Sequence, residues 1–311
     1  MAYVQSTIVT KTKSRRKPPT WPTSLMNLGQ LAKILFNPRR QLRVNAALAC
    51  TAPVQRARHD LRLRLKYLVE YASRALSTDQ RYELLCSHYT YLQGHFQPQF
   101  LSAIFSSGLS LWHGPQAEEQ VEIKLDFPHG MQTEGDLRLT IAVNQTPLYR
   151  MIFTIGSGKT FLHSAEHVIL VTCIQGLVNA EEVRRIIDRC EQVHPTDLLM
   201  SALSGLAHAC GVGAVLGVKT AHQIAIGSRF YFSYEKFFGR YGALNERTEL
   251  FEIPIPFEYK DISEVSAKHR GRTRKKRAFR DVVSADAGRA TLAHRINANG
   301  HEDRPAGAGS L

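Results

Sequence analysis

The middle of the chain alternates apolar and polar residues in the manner of β-strands. Every second residue is apolar from Val121 to Phe127, and charged residues stand between them. A period of two places the apolar side chains on one face of a sheet. The pattern predicts an antiparallel meander of four strands joined by short turns. The four segments are EQVEIKLDF (119–127), DLRLTIAV (136–143), LYRMIFTIG (148–156) and HVILVTCIQG (167–176).

After the fourth predicted strand, the apolar period changes to that of helices. Asn179 is a predicted N-cap, with Glu182 three residues later in the manner of a capping box. Pro195 begins a second predicted helix, which ends at one of two following glycines. AVLGV (214–218) then indicates a short buried strand. Four strands, two helices and a further strand predict an α+β layer architecture.

The first third of the chain favours helices that cover this sheet. Apolar residues at helical spacing predict helices over residues 25–43 and 56–76, and Thr78 is the predicted cap of a third helix. Nearer the other end, alternation and two prolines in ELFEIPIPFEY (249–259) favour an edge strand.

These elements predict one α+β domain between two polar ends. The ends are a disordered basic arm (1–22) and a disordered tail (283–311) that is rich in Ala, Gly and Asn. The domain is expected to consist of a helical cover (23–115), a sheet with helices (116–260) and a basic helix (261–282).

Positive charge is concentrated towards both ends of the chain. The net charge is +13, yet residues 1–59 hold eleven Lys or Arg with no Asp or Glu. The segment KHRGRTRKKRAFR (268–280) holds eight more, so the rest of the chain is net negative. Such concentrated charge attracts polyanions or anionic lipid over about 10 Å at moderate salt.

The segment 268–280 has four interpretations. It can bind anionic phospholipid, a phosphate-bearing ligand on the body, or nucleic acid, or it can be a solvated helix that pairs with the acidic body. The absence of a recognised DNA-binding motif makes nucleic acid the less favoured partner. The residues predicted to contact an anionic surface are Lys268, Arg270, Arg272, Arg274, Lys275, Lys276 and Arg277.

A second candidate site lies where the fourth strand meets the following helix. Gln175 and Gly176 end the strand, and Arg184 and Arg185 follow one turn into the helix. Free N–H groups at a helix N-terminus can hold a phosphate or pyrophosphate. The strand order also resembles that of the acetyltransferase fold, in which the pyrophosphate of coenzyme A sits at a strand-to-helix loop. The alternatives are an acyl-CoA site at these four residues and an ordinary turn with solvated arginines.

The candidates for catalysis are weak, and the sequence predicts no defined reaction. His88, His113 and His222 could act as general bases, and the alternative for each is a packed core histidine. No HExxH or comparable ligand spacing occurs, so no metal site is predicted. The aromatic residues from Tyr231 to Tyr241 favour core packing over the stacking of single-stranded nucleic acid.

The sequence also indicates the cellular compartment in which we expect the protein. Five cysteines without a CxxC pair indicate reduced, buried thiols. No apolar run is long enough for a spanning helix, and the basic run KTKSRRK (11–17) leads into PPTWPTS rather than into an apolar signal region. We therefore expect a cytoplasmic protein that meets a membrane only as a peripheral protein on its inner face.

Several separated blocks of the sequence resemble the VirK/YbjX family of Gram-negative bacteria. The resemblance covers about residues 60–282. The first blocks are EGDLRLTIAVNQTPLYRMIFTIG (134–156) and HVILVTCIQG (167–176), the latter followed by an Arg-bearing helix. The later blocks are FSYEKFFGRYGA (232–243) and FEIPIPFEYKDISEVSAKHRGRTRKKR (251–277).

The resemblance implies a bacterial protein of the cytoplasm or of the inner face of the inner membrane. It also implies links to virulence, to surface-protein display and to resistance against antimicrobial peptides, without implying a reaction. Three hypotheses remain open: an envelope-associated protein that contacts anionic lipid or a phosphate-bearing ligand, an acetyltransferase-like enzyme that uses an acyl-CoA or acyl-carrier donor, and a nucleic-acid-binding regulator. The oligomeric state stays undetermined.

Overall fold

A computed structural model describes residues 37–49, 61–114, 120–129, 133–224 and 232–296. Within these ranges, eight strands form one sheet in the order β1-β2-β3-β4-β5-β6-β8-β7. The strands are β1 (Leu109–His113), β2 (Val121–Asp126), β3 (Leu137–Val143), β4 (Thr146–Ser157), β5 (His167–Gly176), β6 (Ala214–Val218), β7 (Ala243–Asn245) and β8 (Leu250–Pro254).

The sheet confirms the predicted meander and the α+β class. The pairs β2–β3, β3–β4 and β4–β5 are antiparallel, and the alternate apolar residues of β2 and β3 are buried. β5 is buried along nearly its whole length, as its unbroken apolar run predicts. β6 pairs with β5 in parallel, but only from Val168 to Val171. Beyond that point the Tyr234 hydroxyl bonds the backbone of β5. It accepts a hydrogen bond from the Ile174 N–H (2.6 Å) and donates one to the Ile174 carbonyl (3.2 Å).

Eight α-helices accompany the sheet in the described part of the chain. They are α1 (Pro38–Ala49), α2 (Leu61–Leu65), α3 (Thr78–His95), α4 (Pro98–Phe105), α5 (Ala180–Arg189), α6 (Pro195–Cys210), α7 (Tyr234–Phe238) and α8 (Ala267–Leu292). α3 packs on β4, α6 packs on β3 and β4, and α8 lies along α6 and reaches β1. This arrangement holds α8 between the sheet and the surface.

The predicted helix ends after the meander are confirmed. Asn179 caps α5, because its side chain accepts hydrogen bonds from two N–H groups of the first turn at 3.0 Å each. Pro195 is the first residue of α6. Gly211 ends that helix in the left-handed conformation, with φ of 69°, which glycine adopts without steric cost.

The helix predicted over residues 56–76 is wrong beyond Leu65. A single 3-10 turn, Lys66–Leu68, follows α2, and the chain is then irregular up to Ser77. Ala72 has a left-handed φ of 61°, and its N–H bonds the Thr133 carbonyl. Tertiary contacts therefore override the local helical pattern, while residues 56–60 lie outside the described ranges.

The start of α3 differs from its prediction by one residue. Ser77, and not Thr78, is the N-cap. Its hydroxyl accepts from the Gln80 N–H, and the Gln80 side chain accepts from the Ser77 N–H at 3.0 Å, which is a complete capping box. Of the helix predicted over 25–43, only the part from Pro38 onward is described, and it continues to Ala49.

Two strand assignments also change. Residues 109–113 form β1, an edge strand paired with β2, where the sequence predicted only a helical cover. β8, which was predicted to be an edge strand because of its prolines, is instead paired on both sides, with β6 and β7. It tolerates Pro254 because that residue is the last of the strand, where a missing N–H costs little.

The basic helix is longer than predicted, so a disordered tail from residue 283 is wrong for the described part. α8 continues to Leu292, with Val283, Ala287 and Thr291 fully buried against the core. Its end is also fixed, since the Arg295 guanidinium donates to the Ala209 carbonyl at 2.7 Å. A four-residue repeat of small apolar side chains was the missed signal. The predicted arm (1–22) and residues 297–311 lie outside the described ranges.

Candidate functional site

A cleft of about 1010 Å³ lies between α8 and the opposite wall formed by α5, the start of α6 and the segments 239–241 and 257–260. We call it the basic cleft. Seven cationic side chains line it, against three carboxylates. The cations are Arg184, Arg240, Lys260, Arg272, Lys276, Arg277 and Arg280, and the carboxylates are Asp188, Asp197 and Glu258.

The helical period of α8 sorts its charges into two sets. Arg272, Lys276 and Arg280 recur at every fourth residue and therefore share the face that lines the cleft. Lys268, Arg274 and Lys275 are exposed and do not line it. Within the described chain, no cation of residues 268–280 is in an ion pair with a carboxylate. The positive charge of the cleft wall is therefore not neutralised by the body.

Lys276 occupies the middle of this wall. It is half-buried, and in the described structure its ammonium has neither a hydrogen-bond partner nor an ion-pair partner. Burial and the neighbouring charge of Arg272 lower the pKa of Lys276, although Asp197 acts in the opposite direction. A partly desolvated ammonium of this kind is stabilised by any anion that enters the cleft.

The arginines of the same wall are held in place. Arg272 donates to the Gln192 side chain at 2.8 Å, and Arg277 donates to the Lys260 carbonyl at 2.6 Å. Arg280 donates to the Ser201 hydroxyl at 3.2 Å. Each of these bonds uses one of the five donors of its guanidinium, so most donors remain available to a ligand.

Asp197 lies in the opposite wall and holds two residues of the 239–241 segment. Arg240 donates to its two carboxylate oxygens at 2.8 and 3.4 Å, and the Tyr241 hydroxyl donates at 2.6 Å. Burial alone would raise the pKa of Asp197, but the charge of Arg240 and the Tyr241 hydrogen bond keep it below its ordinary value. Asp197 therefore stays ionised and fixes that wall.

His194 contributes a neutral donor to the cleft. Its Nδ1 accepts from the Thr196 N–H at 3.3 Å, as the N-cap of α6, so the proton of a neutral ring resides on Nε2. Burial lowers the pKa of His194, which favours that neutral form. The sequence did not single out this residue.

The structure separates the four residues predicted at the β5–α5 junction. Gln175 accepts hydrogen bonds from the Arg150 guanidinium, with the Nε contact at 3.0 Å. Arg184 lines the basic cleft, whereas Arg185 lines a separate depression beside Glu182. An added Cβ at Gly176 would stand 3.1 Å from the Tyr149 ring, so the strand end is closely packed.

The same junction offers little to a pyrophosphate. The Glu181 and Glu182 N–H groups already bond the Asn179 side chain, and both residues add a carboxylate to the first turn of α5. The Ile174 backbone groups beyond the β5–β6 pairing are bonded to Tyr234. An acyl-CoA site at residues 175–185 stays a prediction, and the basic cleft is the better supported of the two sites.

The three histidine candidates lie apart from one another. His88 is fully buried, its Nδ1 accepts from the Ile155 N–H at 3.2 Å, and burial lowers its pKa to about 4. Its surroundings are those of a core histidine. His113 is exposed beside the Ser110 hydroxyl, and the Nε2 of His222 lies 3.5 Å from a Glu249 carboxylate oxygen. A catalytic role for each remains only a prediction.

The aromatic residues 231–241 are largely core residues, as predicted. Tyr234, Phe237 and Phe238 are buried, while residue 231 lies outside the described ranges. Four of the five cysteines are described, and all four are buried and free. In the described part, no group of His, Cys, Asp and Glu side chains is arranged to hold a metal ion. None of the described helices combines the length and apolarity that a membrane crossing requires.

Sequence reasoning found part of the cleft and missed the rest. Arg184 was predicted as a ligand contact, and Arg272, Lys276 and Arg277 as anion contacts, whereas Lys260, Arg280 and His194 were not predicted. The spacing of Arg272, Lys276 and Arg280 was the available signal for a shared helix face. Apart from Arg184, the opposite wall had no local signal, because it is assembled from residues 184–197, 239–241 and 257–260.

The fold is of the α+β class, and the cleft that it forms is lined by more cations than carboxylates. Comparison with protein-family models identifies a family for the chain, but not a function. A family model described as a protein of unknown function (DUF535) matches residues 27–287, and the chain belongs to this family. Comparison with curated proteins and with solved structures gave no significant match.

Proposed function

We propose that this protein binds a phosphate-bearing ligand in the basic cleft. The observation that carries the proposal is Lys276, a half-buried ammonium without a partner in the described structure, set among six further cations. Charge-assisted hydrogen bonds from Arg and Lys to phosphate oxygens are strong, and the planar guanidinium matches a phosphate bidentately.

The shape of the site favours a ligand that enters the cleft over a flat surface that lies on it. The inner set of cations on α8 faces a concavity bounded by α5 and α6, and a ligand that enters it can contact several of these cations at once. Lys268, Arg274 and Lys275 of the basic segment are exposed outside the cleft, and Arg270 donates to the Val265 and Ser263 carbonyls. A phospholipid headgroup and a free phosphate compound share the same chemistry, and an experiment has to separate them.

Nucleic acid is less well supported. The aromatic residues that would stack bases are buried in the core at Tyr234, Phe237 and Phe238. Tyr259 is exposed, but the guanidinium groups of Arg277 and Arg280 lie over its ring at 5.0 and 5.2 Å. Ring faces that arginines already cover leave little room for a stacked base.

The biological role that we propose follows from the VirK/YbjX resemblance. The protein would act at the cytoplasmic side of a bacterial envelope and support virulence, surface-protein display or resistance to antimicrobial peptides. Complementation of a deletion strain tests this role. The native gene should restore survival in a cationic antimicrobial peptide, and the Lys276→Gln variant should restore less of it. Equal rescue by both would show that the envelope role does not depend on the cleft.

Titration calorimetry tests the binding proposal directly. The probes are pyrophosphate, short-chain phosphatidate below its micellar concentration, and short-chain phosphatidylcholine as the zwitterionic lipid control. We expect pyrophosphate to bind, and its affinity to fall as salt increases. Phosphatidate that binds much more tightly than pyrophosphate would identify a lipid headgroup as the ligand, and equal affinities would identify the phosphate alone.

Neighbouring residues of α8 provide a matched pair of variants. Lys276→Gln and Lys275→Gln remove the same charge from the same turn, but only Lys276 faces the cleft. Loss of a charge-assisted contact of about 1.5–3 kcal/mol corresponds to a weakening of about tenfold or more for Lys276→Gln. Lys275→Gln should change the affinity less than twofold. Equal effects of the two variants would contradict a site in the cleft.

A further inference from the structure

Five of the seven cations of the basic cleft form two clusters, one towards each end of the α8 wall. The first consists of Arg272 and Arg184. Arg272 donates to Gln192, and the Gln192 amide donates to Asp188 at 2.5 Å. Asp188 stands one turn after Arg184 on α5, so this chain of bonds brings α5 and the first turns of α8 together.

The second cluster consists of Arg277, Arg280 and Lys260. Arg277 donates to the Lys260 backbone carbonyl, and both guanidinium groups lie over the Tyr259 ring. Arg280 is also anchored to Ser201 on α6. The second cluster is therefore fixed to elements different from those that hold the first cluster.

The helix sets the distance between the clusters. Eight residues separate Arg272 from Arg280, and a rise of 1.5 Å per residue places them about 12 Å apart along the axis. The two phosphoryl groups of a pyrophosphate share one bridging oxygen and span much less than this distance. Lys276 stands halfway along the same face.

The remaining lining disfavours a ligand that is charged along its whole length. Asp188, Asp197 and Glu258 also line the cleft and repel additional anionic groups. Phe257, whose ring centroid lies 5.4 Å from that of Tyr241, offers apolar surface instead. The cleft thus combines two anion-binding ends with less basic walls.

We infer that the ligand is an elongated molecule that carries a phosphoryl group at each end of an uncharged spacer. One phosphoryl group binds Arg184 and Arg272, the other binds Arg277 and Arg280, and Lys276, which stands between the two pairs, contacts either group. The inference rests on the proposed function, because it names the class of phosphate compound that the same cleft takes.

Titration calorimetry with three probes tests the inference. Hexane-1,6-diyl bisphosphate carries two phosphoryl groups on a spacer, hexyl phosphate carries one on the same spacer, and pyrophosphate carries two without a spacer. Linking two binding groups makes the second contact intramolecular, so we expect the bisphosphate to bind at least about tenfold more tightly than either other probe.

Variants at the two ends provide the second part of the test. Arg272→Gln and Arg280→Gln should each lower the affinity for the bisphosphate to the level of hexyl phosphate. Their effects on pyrophosphate should be unequal, because that probe occupies one cluster. Lys268→Gln, on the exposed side of α8, is the charge-matched control and should leave all three affinities unchanged.

The outcomes separate the inference from the proposed function. If hexyl phosphate or pyrophosphate binds as tightly as the bisphosphate, the two-ended ligand is wrong while phosphate binding in the cleft stands. If no probe binds, both are wrong. Unchanged thermal unfolding midpoints of the variants would show that a loss of affinity reflects lost contacts rather than lost structure.

Discussion

Gly205 of α6 packs directly against Ser284 of α8. An added Cβ at Gly205 would stand 1.9 Å from the Ser284 carbonyl oxygen, a separation that no side chain can occupy. Gly288 continues the contact one turn further along α8. The absence of a side chain at Gly205 therefore lets the two helices approach closely, and this contact fixes the helix that forms the cationic wall of the cleft.

The first prediction concerns this contact. Gly205→Ala should destabilise the protein by about 1–3 kcal/mol, because α8 must move to accept the methyl group. Chemical denaturation measures the change. Gly271→Ala is the control, because an added Cβ there meets no atom within 4 Å. It should instead stabilise the protein by about 0.5–1 kcal/mol, as expected for Ala over Gly within a helix. Equal effects would contradict the close packing.

The second prediction concerns the C-terminal half of α8. Val282 and Val283 are neighbours, but Val282 is 52% exposed and Val283 is fully buried. Val283→Ala should cost about 2 kcal/mol, from the lost apolar burial and the cavity that remains. Val282→Ala should change the free energy of unfolding by less than about 0.5 kcal/mol. Similar small values for both would mean that this part of the helix does not pack on the core.

The third prediction concerns the buried ion pair of Lys66 and Asp136. Both side chains are fully inaccessible, and Asp136 also accepts hydrogen bonds from Tyr71, Tyr89 and Thr154. Asp136→Asn leaves the ammonium buried without its counter-charge and should destabilise the fold by about 3–5 kcal/mol. The control is Asp126→Asn, which breaks a half-exposed pair at the sheet face and should cost about 1 kcal/mol or less.

The Asp136 carboxyl group also leads us to predict that the stability of the fold depends on pH. Burial would raise the pKa of Asp136, but the charge of Lys66 and the hydrogen bonds from Lys66 and Tyr71 hold it below its ordinary value. Its contribution to stability is therefore complete above the unfolded pKa of about 3.9 and is lost as the pH falls through the lower folded pKa. Denaturation between about pH 5 and pH 2 should show this loss, and Asp136→Asn should lack that component.

The fifth prediction concerns the pH dependence of anion binding. Because the pKa of Lys276 is lowered, this side chain loses its proton at a lower pH than an ordinary lysine, whose pKa is about 10.4. A bound anion favours the charged form, so the affinity for sulfate, whose own charge stays constant, should decline as the pH rises towards that value. In Lys276→Gln this component of the decline should be absent. An identical pH profile in both proteins would exclude Lys276 from the site.

The sequence predicted the elements whose signals are local. The alternation of β2 and β3, the Asn179 cap and the Gly211 helix end depend on neighbouring residues alone. The irregular chain after Leu65 could not be predicted in this way. It depends on the burial of Lys66 against Asp136, seventy residues away, and on the bond from Ala72 to Thr133. The helical spacing of neighbouring apolar residues carries no information about either of these distant contacts.

The sequence predicted the α8 side of the cleft and, on the opposing side, only Arg184. The density of Lys and Arg in 268–280 indicated an anion-binding segment, and the helical period separates its inner from its outer residues. The opposing wall comes from three separate parts of the chain, and the Arg240–Asp197 pair joins two of them across 43 residues. Its position follows from the packing of α6 and α8, which no sequence pattern encodes directly.

Competitive acetylation of lysines tests the central claim most directly, because Lys275 and Lys276 report from the same molecule. Mass spectrometry would measure the acetylation rate of each with and without saturating pyrophosphate. Binding in the cleft predicts that pyrophosphate slows acetylation of Lys276 at least fivefold and leaves Lys275 unchanged. Equal rates at Lys276 with and without pyrophosphate, or equal slowing at both lysines, would contradict the account.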